Sequence, residues 1–135
     1  MNVGGCEAWA LWDSGSTTTG ITPAFAQVAK IPVFPLSNPH ILQLGTIGSR
    51  SSVNYGTEII VQAPGTNSVV YMDIANFDRY DMIIGTPFMR KNKVHLDFEN
   101  DRIVINGVAT PATPVELLDT DGRLRRYRTT EKRQN

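Results

Sequence analysis

Asp13 lies in Leu11-Trp12-Asp13-Ser14-Gly15-Ser16-Thr17-Thr18, where an apolar run meets a cluster of small hydroxyls. A carboxylate held against apolar walls is costly to ionise unless donors surround it, so its proton affinity becomes adjustable and it can serve general acid–base chemistry. The hydroxyls of Ser14 and Ser16, and the backbone N–H groups that Gly15 frees, are suitable donors. Asp-Ser-Gly alone is weak evidence, because these are also the residues that end strands in turns. A second stretch, Asp81-Met82-Ile83-Ile84-Gly85-Thr86-Pro87-Phe88, carries a short apolar run into a glycine and a helix start.

The other chemistry-bearing residues do not assemble. Cys6 is the only cysteine, and His40 and His95 are far apart, so neither an internal disulfide nor zinc-ligand spacing is available and no metal is expected. Neither histidine has a serine or cysteine nucleophile in a known motif, and both are read as surface or locally satisfied. Asp119-Thr120-Asp121-Gly122 starts like a calcium loop but lacks the closing glutamate, and is read as an exposed turn. Gly45 and Gly48 are followed by no Lys-Ser/Thr pair and no helix, which argues against a phosphate cradle. Trp9, Phe88 and Phe98 are assigned to core packing, and no cofactor is expected.

The elements that must position Asp13 are mostly strands. At 135 residues and 41% hydrophobic content the chain suffices for one core. Short β-compatible runs between Gly, Pro, Asn and Ser turns predict an all-β architecture built largely from consecutive antiparallel hairpins. Cys6 to Trp12 reads as one strand buried on both faces and ending at Asp13. Thr22 caps a short helix with Pro23 at its first position and Phe25, Val28 and Ala29 at helical spacing, stopped by Ile31-Pro32. Pro32, Pro35 and Pro39 keep the next stretch extended. Ile41 to Ala63 forms a long hairpin around Gly48-Ser49-Arg50-Ser51-Ser52, with Arg50 a solvated tip residue. Pro64-Gly65-Thr66-Asn67 makes a turn and Ser68 to Ala75 a strand. Met82-Ile83-Ile84 is a buried strand; Thr86 caps a second helix that Asn92 ends. Val94 to Phe98 and Arg102 to Gly107 supply two more strands. The composition shift near Thr110 places the domain at residues 1–109 and a linker or tail, basic and partly disordered, at 110–135.

Thirteen basic and thirteen acidic residues cancel. No overall charge attracts nucleic acid or an anionic membrane, and neither is expected as a partner. From Asp119 onward six Lys/Arg face three acidic residues, a locally basic end read as solvated. No apolar run approaches bilayer length and no signal peptide opens the chain, which suggests a soluble, cytoplasmic protein.

The order of Asp-Ser-Gly, Gly-containing hairpin, and Ile-Ile-Gly followed by a short helix resembles the retroviral-type aspartic proteases, the retropepsins, over Val3 to Gly107. The spelling Asp-x-Ile-Ile-Gly-x-Pro-Phe and the stretch Gly48 to Gly56 look closest to proteases of gypsy-type LTR retrotransposons. The resemblance implies a closed, barrel-like acid-protease domain with a flap hairpin and one or two short helices, working as a C2 homodimer. It implies that Asp13 is the catalytic aspartate, that Ser14 and Gly15 support its loop, and that Leu11, Ser16, Thr17 and Ile84 meet substrate. The flap would run from about Leu44 to Tyr55, touching substrate through Ile47, Gly48 and Ser49. Peptide hydrolysis needs a base and an acid, and one Asp-Ser-Gly per chain then requires a second copy. The implied role is excision from a Gag-Pol polyprotein, in the cytoplasm or within virus-like particles. A cellular domain of the ubiquitin-shuttle type and a silent protein-binding module are the alternatives. Trp12 departs from the family, which usually has an aliphatic residue before the aspartate.

Overall fold

The computed structural model describes residues 1–43 and 50–113. The expected hairpin-tip contacts Ile47, Gly48 and Ser49, the glycine at 45, the turn at 119–122 and the basic end lie outside the described residues. Eleven strands and two helices follow in order: β1 (Asn2–Val3), β2 (Cys6–Glu7), β3 (Ala10–Trp12), β4 (Gly20–Ile21), α1 (Pro23–Val28), β5 (Phe34–Gln43), β6 (Arg50–Ala63), β7 (Thr66–Ile74), β8 (Met82–Ile84), α2 (Thr86–Lys91), β9 (His95–Asp97), β10 (Arg102–Ile105) and β11 (Val108–Pro111). One sheet runs β2-β1-β6-β7-β4-β8-β3 with β5 on β6, and a second runs β11-β10-β9. The all-β expectation holds.

Both long hairpins form, with one correction to the first: its leading arm begins at Phe34 rather than Ile41, and Arg50, Ser51 and Ser52, expected at its tip, belong to β6, because the ladder to Gln43, Leu42 and Ile41 runs through them. β5 pairs antiparallel with β6 from Phe34↔Gly56 to Gln43↔Arg50, with a register shift between Pro35 and His40 where prolines cannot donate to the ladder. β6 and β7 pair from Tyr55↔Ile74 to Ala63↔Thr66 around Pro64-Gly65. Two further expectations need correction. Cys6 to Trp12 is not one doubly buried strand: it breaks at Ala8-Trp9, where the Trp9 N–H bonds Asp81 Oδ2 at 2.9 Å, and β3 is only half-buried. The sheet is also not purely a series of antiparallel hairpins. β3 lies parallel to β8 and β4 parallel to β7, because the two-residue β4, which carries no local signal, wedges between β7 and β8.

The helix ends show which side chains matter. Thr22 Oγ1 accepts the Phe25 N–H at 3.1 Å, and Pro23 sits where no donor is needed. Val28 is exposed, so Phe25 and Ala26 are the α1 residues that reach the core. The second helix is capped by Gly85 rather than Thr86, whose side chain has another task. At its C-terminal end Asn92 is buried. Its Nδ2 donates to Phe88 O at 3.0 Å, and its Oδ1 accepts from Thr66 Oγ1 at 3.0 Å and Asn106 Nδ2 at 3.3 Å. One amide thus ties α2 to the β6–β7 and β10–β11 turns.

Two apolar clusters lie on opposite sides of β3 and β8. The larger contains Val3, Ile21, Phe25, Met72, Met82, Ile84 and Phe88, with Ala10 and Trp12 packed against it. The smaller contains Val53, Ala75 and Ile83, with Leu11, Leu36 and Phe77 against it. The β3–β8 register explains the division: Ala10↔Met82 and Trp12↔Ile84 point one way, Leu11↔Ile83 the other. The tryptophan before Asp13 is accommodated by α2, its ring 6.0 Å from that of Phe88 at 58°.

Two aromatic assignments to the core fail. Phe98 is 83% exposed and Trp9 39% exposed, while Phe88 is buried as expected. Trp9 from the start of the chain, and Leu96, Phe98 and Ile103 from the small sheet and its first turn, instead line a groove between the two. The short strand β9 ends before Phe98, so strand alternation does not carry that ring inward.

Candidate active site

Asp13 is held where β3 runs out. Its N–H donates to Ile84 O at 2.9 Å, which extends the parallel pairing by one step, and its carbonyl accepts the Ser16 N–H at 3.1 Å. The side chain is half-buried, and Oδ1 accepts the Gly15 N–H at 2.9 Å. No other described residue bonds this carboxyl group, so among the described residues Oδ2 has no donor. A side chain on Gly15 would begin 3.2 Å from Oδ1, so glycine keeps that approach open.

The loop from Asp13 to Thr19 is stitched to the end of β8. Ser16 O accepts the Thr86 N–H at 2.9 Å, and Thr86 Oγ1 donates to the same oxygen at 3.3 Å. The Gly85 N–H donates to Thr19 Oγ1 at 3.0 Å. Thr19 carries no signal in the sequence beyond being one hydroxyl among several, yet it is buried and fixes the glycine under the loop. This crossing brings the two motifs, 72 residues apart along the chain, into backbone contact.

Of the residues expected at the site, the structure gathers some and withdraws others. Ser14, Gly15 and Thr17 are exposed beside Asp13. Leu11 lies on the Asp13 side of β3 by strand alternation and faces the smaller apolar cluster. Ser16 does not face solvent: it is 1% exposed, and its hydroxyl donates to Thr18 O at 2.7 Å. Ile84 is likewise internal, fully buried in the larger cluster. Its neighbour Ile83 has the orientation expected of Ile84, because it pairs with Leu11. Ile83, Val53, Ala75, Leu36 and Phe77 were not singled out by the sequence, where one apolar residue of an Ile-Ile pair looks like the other. The Thr18 hydroxyl is buried without a hydrogen-bond partner.

Among the described residues the site offers one carboxyl group bonded at Oδ1 alone, an exposed Ser14, and an apolar wall. Among the described residues no group of three or more His, Cys, Asp or Glu side chains could hold a metal ion. No helix among them is long and apolar enough to cross a membrane. This arrangement can move a proton at Asp13 and can receive an apolar side chain against Leu11 and Ile83.

A family model described as retroviral aspartyl protease matches residues 1–110. Among solved structures, the crystal structure of the retroviral protease-like domain of Ddi1 from Leishmania major is similar at a TM-score of 0.64 and 14% identity, covering 84% of this chain and 90% of that one. No curated protein matches the chain. The structural likeness is one of fold.

Proposed function

The chain belongs to the retroviral aspartyl protease family and has the retropepsin-like fold, and from that premise we propose that it is an aspartic endopeptidase whose catalytic pair forms across a homodimer. The observation that carries the reading is the seating of Asp13: it closes β3 on Ile84, with Gly85 threaded beneath its loop and Oδ2 without a donor among the described residues. Such a carboxyl group, set against a copy of itself, shares one proton, so that one member is ionised and the other protonated.

Hydrolysis then proceeds in two proton-balanced stages. The ionised Asp13 takes a proton from water as its oxygen attacks the peptide carbonyl carbon. The protonated Asp13 of the second copy gives its proton to the carbonyl oxygen, yielding a neutral gem-diol. In collapse, a diol proton returns to one carboxylate and the leaving nitrogen takes a proton from the other. The C–N bond breaks, an acid and an amine form, and the pair again holds one shared proton. Ser14 and Gly15 shape the loop that holds the carboxyl groups. Leu11, Thr17 and Ile83 meet an extended peptide, and the β5–β6 hairpin closes over it as a flap through Ile47, Gly48 and Ser49.

The homodimer has a second support in the groove where exposed Trp9 and Phe98 stand beside half-buried Leu96 and Ile103, since apolar surface gathered in one place suits a face that another chain covers. For biological role, the Asp-x-Ile-Ile-Gly-x-Pro-Phe spelling supports processing of a Gag-Pol polyprotein of a gypsy-type retrotransposon. The likeness to a Ddi1 domain supports the second reading, a cellular retropepsin-like domain.

Incubating the protein with a library of peptides bearing apolar residues at the cleavage site, from acidic to neutral pH, tests the activity. Cleavage by the wild type and none by Asp13→Asn is expected. Equal cleavage by both contradicts the assignment of Asp13, and a stable dimer that cleaves nothing points to a binding module.

A further inference from the structure

Asp73 is 2% exposed and is the one ionisable side chain among the buried residues described. Burying a carboxyl group is unfavourable unless neighbours bond it. Two groups meet it. Tyr71 Oη, two residues earlier on the same face of β7, donates to Oδ1 at 2.7 Å. His40 Nε2, on β5, lies 3.4 Å from Oδ2, an ion-pair distance when the imidazole is protonated, and its side chain is 45% exposed.

The local sequence is built around this contact. Gly56 sits opposite Asp73 on β6, and a side chain there would begin 2.6 Å from Tyr71 Oη, so only glycine leaves the phenol room to reach across. The Tyr71 ring also leans on Phe34 of β5, with centroids 6.4 Å apart. Burial and the neighbouring Asp73 both push ionisation of the Tyr71 phenol up, so it remains an O–H donor. The register shift between Pro35 and His40 leaves few ladder bonds holding that part of β5, which makes a side-chain anchor useful there.

The backbone of Asp73 points the other way. Its N–H donates to Thr19 O at 3.0 Å, and it pairs with Gly20 at the foot of the Asp13 loop. One residue therefore touches the loop that carries Asp13 through its main chain and the first arm of the β5–β6 hairpin through its side chain.

We propose that Asp73 is a positioning residue that anchors β5, the strand leading into the flap, to the Asp13 loop through His40. This rests on the protease reading for its effect on turnover, though not for the anchor itself. The flap contributes to peptide binding, so loosening its arm weakens KM more than kcat.

The test pairs kinetics with amide exchange. In the wild-type background, His40→Leu should raise KM about three- to tenfold while leaving kcat within about twofold. His40→Gln, whose amide N–H can stand near the Nε2 position, should restore KM. Adding Asp73→Asn to His40→Leu should cost nothing more, because the pair acts as one unit. In an Asp13→Asn background, His40→Leu should speed exchange of the Phe34–Gln43 amides and leave those of α2 unchanged. A fall in kcat at constant KM, a His40→Gln variant no better than His40→Leu, additive losses, or unaltered β5 exchange would each overturn the anchor. If the wild type cleaves no peptide, the protease reading has failed, and the exchange experiment still decides the anchor.

Discussion

Gly85 passes so close under the Asp13 loop that a methyl group on its Cα would lie 2.3 Å from the Thr18 carbonyl oxygen, and 2.8 Å from that of Ser16. Both obstacles are backbone, so no rotamer change relieves the clash. The Asp13 loop and the end of β8 can adopt this crossing only with glycine at 85. Gly85→Ala should destabilise the fold by about 3 kcal/mol, judged from the cost of overpacking a rigid site. Urea unfolding measures it, and a loss below about 0.5 kcal/mol would show that the crossing is looser than described.

The Trp12–Phe88 contact gives a second expectation. If the tryptophan before Asp13 is tolerated because α2 offers it an aromatic partner, the two should be energetically coupled. A double-mutant cycle with Trp12→Leu and Phe88→Leu should return about 0.5–1.5 kcal/mol of interaction. Strict additivity would mean that each ring packs independently.

Much of this arrangement is legible in the sequence, and what is not has a physical reason. Local chemistry sufficed for α1, where Thr22 and Pro23 mark the start, and for the long hairpins, where Pro64-Gly65 fixes the turn. Contacts between distant segments left no such mark. β4 is two residues long and exists only because β7 and β8 flank it. Ile83 and Ile84 are the same residue type, and only the pairing of Leu11 with Ile83 decides which of them faces the Asp13 side. Ser16 reads in the sequence like its exposed neighbours Ser14 and Thr17, yet its side chain turns back to Thr18 and serves the loop. Phe98 looked like core because most phenylalanines are. Asp73 carries no mark in the sequence, because burial of a single carboxyl group in an alternating strand depends on partners contributed by β5 and by Tyr71.

Asn92 should prove the most sensitive polar residue away from the site. Asn92→Ala removes the buried amide that joins α2 to two turns, leaving Thr66 Oγ1 without its acceptor and Phe88 O with only the backbone N–H of residue 92. A loss of about 1–3 kcal/mol is expected from the unsatisfied groups. Thermal or urea unfolding checks it, and a neutral substitution would show that water replaces the amide fully.

The small sheet carries a pH signature. Hydrogen bonds from the Asn100 side chain and backbone, and then from Arg102, hold the Asp97 carboxyl down at about 2, below its ordinary 3.8. A depressed carboxyl stabilises the fold above its ordinary value and loses that contribution as pH falls through the folded one. The wild type should therefore lose stability between about pH 4 and pH 2 more steeply than Asp97→Asn. The Arg102–Asp97 pair lies at the surface, where solvent screens it, so the difference is small. Urea midpoints of both proteins across this window measure it, and parallel profiles would remove Asp97 from acid unfolding.

The central claim is that one Asp13 is half a catalytic pair. It is tested most directly by unfolding wild-type and Asp13→Asn chains together and refolding them at increasing proportions of the variant, then measuring peptide cleavage per wild-type chain. In an equal mixture about one quarter of random dimers carry two intact carboxyl groups, so activity per wild-type chain should fall to about half and continue downward as the variant is added in excess. Activity per wild-type chain that stays constant at every proportion would contradict the shared pair and assign the chemistry to a single chain.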